Sequence, residues 1–209
     1  MKRARRRLPR DFFGRATLDV ARELIGKVLV HETRAGAAAG RIVEVEAYIG
    51  EDDPACHAAP GPTRRNEPLY GPPGIAYVYL NYGIHFLTNV VAEADGFPAA
   101  VLLRALEPCE GIDLMERRRT GRARGAALVP VEGLCRGPGN LSKALGITLK
   151  QNRLDLTADS PLRIEDWGFE AGELVWGPRI GIRVGVDKRW RCYEQDSPAV
   201  SNLPRARKK

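Results

Sequence analysis

Between positions 41 and 49 the chain alternates with a period of two: Val43, Val45, Ala47 and Ile49 are apolar, and Glu44, Glu46 and Tyr48 stand between them. Successive side chains of a strand point to opposite faces. The segment therefore predicts a strand with one core face and one face carrying two carboxylates beside an aromatic ring. His57 comes a few residues later. An acid or base next to a flat π surface suits a planar, nitrogen-rich ligand such as a nucleobase. Taken alone, the segment reads first as a half-buried strand with a solvated acidic face; the residues downstream of it reverse that order.

The flanking sequence supplies partners for such a strand. Residues 27–32 read as a strand, 34–40 as a Gly/Ala turn, and 41–49 as the returning arm of a hairpin. Residues 50–73 are rich in Pro, Gly and charge, and a loop of that length in a compact domain is usually functional. Residues 75–81 and 84–90 form a second hairpin pattern. Residues 99–106 make a nearly continuous apolar run interrupted by Arg104, as in a buried central strand. Helices are expected over 110–119 and from 141 to 145, and further strands over 163–166 and 179–186. In the last of these Ile180, Ile182, Val184 and Val186 alternate with small or polar residues. Many strands, hairpin connections and few helices predict an α+β fold: a single domain over 11–203 around a curved, mainly antiparallel sheet with flanking helices and a protruding hairpin. Residues 1–10 read as a flexible basic arm and 204–209 as a basic tail.

A chain of 209 residues with 44% hydrophobic and 28% charged residues has ordinary globular content. Lys plus Arg number 33 against 26 Asp plus Glu, a formal charge of +7, which points to nucleic acid or, less often, to an acidic membrane surface. Cys56, Cys109, Cys135 and Cys192 are scattered, and the chain holds three histidines. No ligand set has the spacing of a zinc site, so neither metal nor cofactor is expected. With no signal-like segment and no long apolar run, a reduced, cytoplasmic protein is expected, associated with the nucleoid if bacterial.

Several single residues are unusual for their positions. Tyr82 occupies a hairpin tip where a small polar residue is the rule, so it either enters something, as a wedge enters a DNA stack, or folds back on its own hairpin. Tyr77 and Tyr79 share a strand face, and Tyr48, Tyr79 and His57 together suffice for two walls around a flat ring. Arg104 needs an anionic partner if buried, either Glu46 or Glu44, whereas Glu107 reads as the start of the next helix. Residues 137–140, Gly-Pro-Gly-Asn, open a helix whose free amides, with Lys143, suit a phosphate.

Seven segments then occur in one order: RIVEVEAY (41–48), ACH (55–57), TRRN (63–66), AYVYLNYG (76–83), TNV (88–90), VLLRALEP (101–108) and LCRGPGNL (134–141). As a set they resemble the alkyladenine, or methylpurine, DNA glycosylases, over nearly the whole chain. The resemblance implies a monofunctional base-excision repair enzyme that flips a damaged purine from duplex DNA and hydrolyses its N-glycosidic bond. It implies Glu46 as general base and Arg104 as the group that holds it and the water. Tyr48 would stack on one face of the base, with His57 and Tyr79 on the other, and Asn89 would line the pocket floor. Tyr82 would be the wedge, and Arg64, Arg65 and Lys143 would contact DNA. The chain departs from its relatives at Ile84-His85 and matches them only loosely over 190–201. Damaged duplex DNA is the expected partner and a monomer the expected state, with no membrane association. Two other readings compete: a damage-binding protein that distorts DNA without cutting it, and a metal-dependent nuclease using Glu44, Glu46 and Asp52 or Asp53.

Overall fold

A computed structural model of the protein describes residues 5–121 and 129–201. Its elements in chain order are β1 (Arg6–Arg7), α1 (Arg10–Phe13), α2 (Thr17–Leu24), β2 (Val28–Thr33), β3 (Gly36–Ile49), β4 (Ala76–Asn81), β5 (His85–Val91), β6 (Ala99–Glu110), α3 (Ile112–Thr120), α4 (Pro138–Leu145), β7 (Leu162–Asp166), β8 (Leu174–Gly177) and β9 (Arg191–Glu194). The strands form one sheet in the order β1-β7-β2-β3-β6-β5-β4, every pairing antiparallel, with β9 also on β3 and β8 on β9. The α+β architecture is that expected of the sequence. Among the described residues no helix is long and apolar enough to cross a membrane.

β3 is the axis of the molecule. Its first half pairs with β2 as far as Arg41, and from Glu44 to Glu46 β9 takes that edge, while β6 runs along the other side. The pairing with β6 is irregular: Ile42 faces Leu106, Glu44 faces Ala105 and Val45 faces Leu103, so Val43 and Arg104 fall out of register. A bulge of this kind re-aims side chains. Ile42, Val45 and Ala47 enter the main core with Leu103, Leu106 and the inner faces of α2 and α4. Val43 turns instead to a separate cluster with Ala105, Ala199 and Val200. The strict two-residue alternation expected across 43–49 is broken there, and Arg104 is brought beside both carboxylates.

Other expectations are corrected by the structure. Residues 5–10 are not a free arm: β1 pairs with β7, and Leu8 is buried against the main core. Residues 36–40 belong to β3, which shortens the turn to Arg34 and Ala35. β6 runs on to Glu110, so Glu107 starts no helix and instead pairs with Arg41, its Oε2 2.7 Å from Nη2. The stretch 179–186 is not a strand, because Gly181 and Gly185 adopt positive φ (79° and 61°) and turn the chain away from extended geometry. The strands nearby are β8 and β9. Residues 1–4, most of the basic linker at 122–128 and the tail 204–209 lie outside the described residues.

Candidate active site

Glu44 and Glu46 are both fully buried, contrary to a solvated acidic face. Two buried carboxylates demand equal positive charge and filled lone pairs, and β6 and β9 supply them. Oε1 of Glu44 accepts from Arg104 Nε (2.9 Å), Arg191 Nε (2.7 Å) and Ser201 Oγ (2.9 Å), and its Oε2 accepts from the Ser201 amide (2.7 Å). The other end of Arg104 reaches Glu46, with Nη1 3.2 Å from Oε1. Arg104 thus pairs with both glutamates rather than with one of them. Burial opposes its charge, but the Glu46 and Glu44 carboxylates outweigh burial and raise its pKa above the usual value.

Glu46 accepts two further hydrogen bonds. The Ile180 amide donates to Oε1 at 2.7 Å, and the Tyr48 hydroxyl donates to Oε2 at 2.8 Å. A carboxylate offers about four acceptor positions. The Ile180 amide and Arg104 meet Oε1, and the Tyr48 hydroxyl meets Oε2.

In front of this layer lies a cavity of about 510 Å³, walled by Tyr48, His57, Tyr79, Asn89, Arg104 and Ile180 among others. The lining brings together Tyr48 from β3, His57 from the long loop and Tyr79 from β4, three separate segments. Glu46 does not line the cavity; it stands behind Tyr48 and Arg104. The His57 and Tyr79 rings are 4.5 Å apart, and His57 Nδ1 lies 2.8 Å from the Tyr77 hydroxyl. Burial, aided by Arg65, lowers the pKa of His57 and favours the neutral ring. Burial raises the phenols of Tyr48 and Tyr79 well above normal, and Glu46 adds to the effect at Tyr48, so both stay protonated hydrogen-bond donors. Asn89 Nδ2 donates to the Tyr77 carbonyl at 3.0 Å, fixing the amide at the cavity surface.

The mouth is formed by the β4–β5 hairpin and the start of α4. Tyr82 and Gly83 both have positive φ (49° and 71°), and the Ile84 amide bonds the Asn81 carbonyl at 3.0 Å, as in a type I′ turn. Tyr82 does not fold back: it is 87% exposed, and Ile84 beside it is 72% exposed. Gly137 to Asn140 line the cavity mouth. Arg65 lies over the outer face of the Tyr79 ring at 5.6 Å. Arg64 and Lys143 are exposed and outside the cavity lining.

Sequence reasoning missed Ile180, whose contribution is a backbone amide, and Arg179, Arg191 and Ser201, whose value lies in contacts between distant segments, and it offered Asp53 only as a metal ligand. The one available signal was the charge at 179 inside an otherwise apolar stretch. The ligand set of a metal-dependent nuclease does not assemble, since Glu44 and Glu46 are taken up by arginines and Asp53 by Arg179. Among the described residues no group of three or more His, Cys, Asp or Glu is arranged to hold a metal ion.

Comparison with known proteins gives a consistent result. The family described as methylpurine-DNA glycosylase matches residues 11–198. A protein of Methanocella arvoryzae, named "Putative 3-methyladenine DNA glycosylase", is 49% identical over 197 residues, which cover 93% of this chain and 95% of its own. Proteins bearing the same name from Rhodopseudomonas palustris and Clostridium acetobutylicum are 47% and 43% identical, covering 93% and 94% of this chain and 87% and 98% of theirs. The chain belongs to the methylpurine-DNA glycosylase family.

Proposed function

We propose that this protein is a monofunctional base-excision repair glycosylase acting on duplex DNA. It takes an alkylated or deaminated purine, of the 3-methyladenine, 7-methylguanine, hypoxanthine and ethenoadenine class, out of the helix and hydrolyses its glycosidic bond. The observation that carries this reading is a fully buried Glu46, held by Arg104 and joined through the Tyr48 hydroxyl to a ring-lined cavity. Tyr48 would cover one face of the everted base and His57 with Tyr79 the other, with Asn89 at the floor. Tyr82 would fill the gap left in the stack. Arg64, Arg65 and Lys143, in a chain of net charge +7, would meet phosphates around the mouth.

Departure of the purine takes the glycosidic electron pair and leaves an oxocarbenium-like sugar. Glu46 would stabilise that cation and accept a proton from the water whose oxygen bonds to C1′. General-base help of this kind is worth about a hundred- to ten-thousandfold in rate. A cationic alkylated purine leaves as a neutral base and needs no further proton, whereas a neutral purine such as hypoxanthine leaves with a negative charge and takes up one proton, equal to the one the water gives up. Among the described residues no lysine lines the cavity, in keeping with hydrolysis without strand cleavage.

A damage-binding protein that cuts nothing is the other reading, and Glu46 argues against it. A protein that only binds gains nothing from a carboxylate beside the sugar-phosphate backbone, whereas hydrolysis needs a base there. Incubation with alkylated duplex DNA in the presence of chelator should yield free methylated purines and abasic sites. Glu46→Gln should bind lesion DNA yet release base at least about a hundredfold more slowly. Release at the normal rate by that variant would remove Glu46 as the base.

A further inference from the structure

Behind the Tyr48 wall lies an ion pair that the chemistry above does not use. The side chains of Arg179 and Asp53 have no solvent exposure, with Nη1 2.5 Å from Oδ2 and Nη2 2.8 Å from Oδ1. The same guanidinium donates to the Ala47 carbonyl at 3.1 Å and the Gly185 carbonyl at 3.3 Å. Its Cζ lies over two rings, 4.7 Å from the centre of Tyr48 and 5.2 Å from that of Trp190. Asp53, for its part, accepts from the amide of Ile49 at the end of β3 and from that of Ala55 in the loop that leads to His57. Neither Arg179 nor Asp53 lines the cavity.

The connections are specific. Arg179 is bonded to β3 on one side of Tyr48, to the loop that carries the opposite wall, and to its own loop at Gly185. The residue after it, Ile180, donates the amide that fixes Oε1 of Glu46. A planar, bidentate guanidinium stacked on a ring sets distance and angle together, which an ammonium group does not.

We propose that the Arg179–Asp53 pair is a positioning device for catalysis: it sets the plane of Tyr48 and the placement of the Ile180 amide, and through them the orientation of Glu46 and the spacing of the two base-stacking walls. This rests on the reading of Glu46 as the base. Arg179 touches neither the base nor the water. It determines whether a bound purine and the carboxylate meet in the reacting geometry, where a misplacement near 1 Å can lower the rate by roughly a hundredfold.

The test is Arg179→Lys, which keeps the charge and loses the fork, measured in single-turnover base release with enzyme saturating over alkylated duplex DNA. That rate belongs to bound complexes and is insensitive to unfolded protein. The expected result is a rate lower by roughly ten- to a hundredfold, with affinity for abasic-site DNA, which presents no base to the pocket, within about twofold of wild type. Asp53→Asn, which keeps the shape and removes the charge, should show the same split and serves if the lysine variant does not fold. A wild-type single-turnover rate in a folded variant overturns the proposal, as does an equal loss of abasic-DNA affinity, which would mark a merely structural pair. Failure of the wild-type protein to release base would instead overturn the glycosylase reading itself.

Discussion

Tyr48 carries two duties in one side chain. Its ring faces the cavity, and its hydroxyl, kept protonated by burial and by Glu46, occupies one of the two positions on Oε2. The two duties are separable by a single atom. Tyr48→Phe keeps the stacking surface and frees the carboxylate to turn about its terminal bond. Base release at saturating enzyme should fall about tenfold, with affinity for lesion DNA little changed; an equal loss in both would mean that the hydroxyl serves binding. At this scale the sequence was legible for the residues whose type already announces chemistry: Glu46, Tyr48, His57, Tyr79 and Arg104. It was not legible for Ile180, because an amide is common to nearly every residue and only the path of the chain aims it.

The hairpin of β4 and β5 holds a large side chain in a conformation that favours glycine or asparagine. A tyrosine at φ 49° is disfavoured by about 1–2 kcal/mol relative to the right-handed region. An exposed ring gains no burial to offset that cost, which supports the proposed reading of Tyr82 as a wedge. Tyr82→Asn suits the turn and should leave the melting temperature unchanged or slightly higher. Binding to duplex lesions should weaken clearly more than binding to the same lesion in single-stranded DNA, and equal losses on the two substrates would count against a wedge. Both hairpins could be read from the sequence because alternation and turn residues are local signals. The bulge at Val43 and Arg104 could not, since it depends on the register with β6. The loop after Arg179 was misread as a strand because the isoleucines and valines keep their alternation while the glycines between them bend the backbone.

Over the whole molecule, the buried charges draw together parts of the chain that local pairing never joins. Glu44 gathers β6 through Arg104, β9 through Arg191 and the segment at Ser201, and nearly every acceptor position on it is filled. Removing one partner from such a network leaves the others buried and uncompensated, at a cost of about 3–5 kcal/mol. Glu44→Gln should therefore lower stability by about that amount in denaturant titrations, and by roughly 6–20 °C in melting temperature for a domain of this size. A change within about half a kcal/mol would mean that the two arginines find other partners.

Glu44 and Ser201 are separated by 157 positions. While the chain is being made, β3 and β6 leave the ribosome long before the serine that completes the shell around their carboxylate. Until then Arg104 lacks its bond to the Ser201 hydroxyl, and the β9 edge of β3 is open. Full assembly of the shell around Glu44, and with it the placement of Arg104 beside Glu46, thus waits for residues 191–201 to close against β3 and β6.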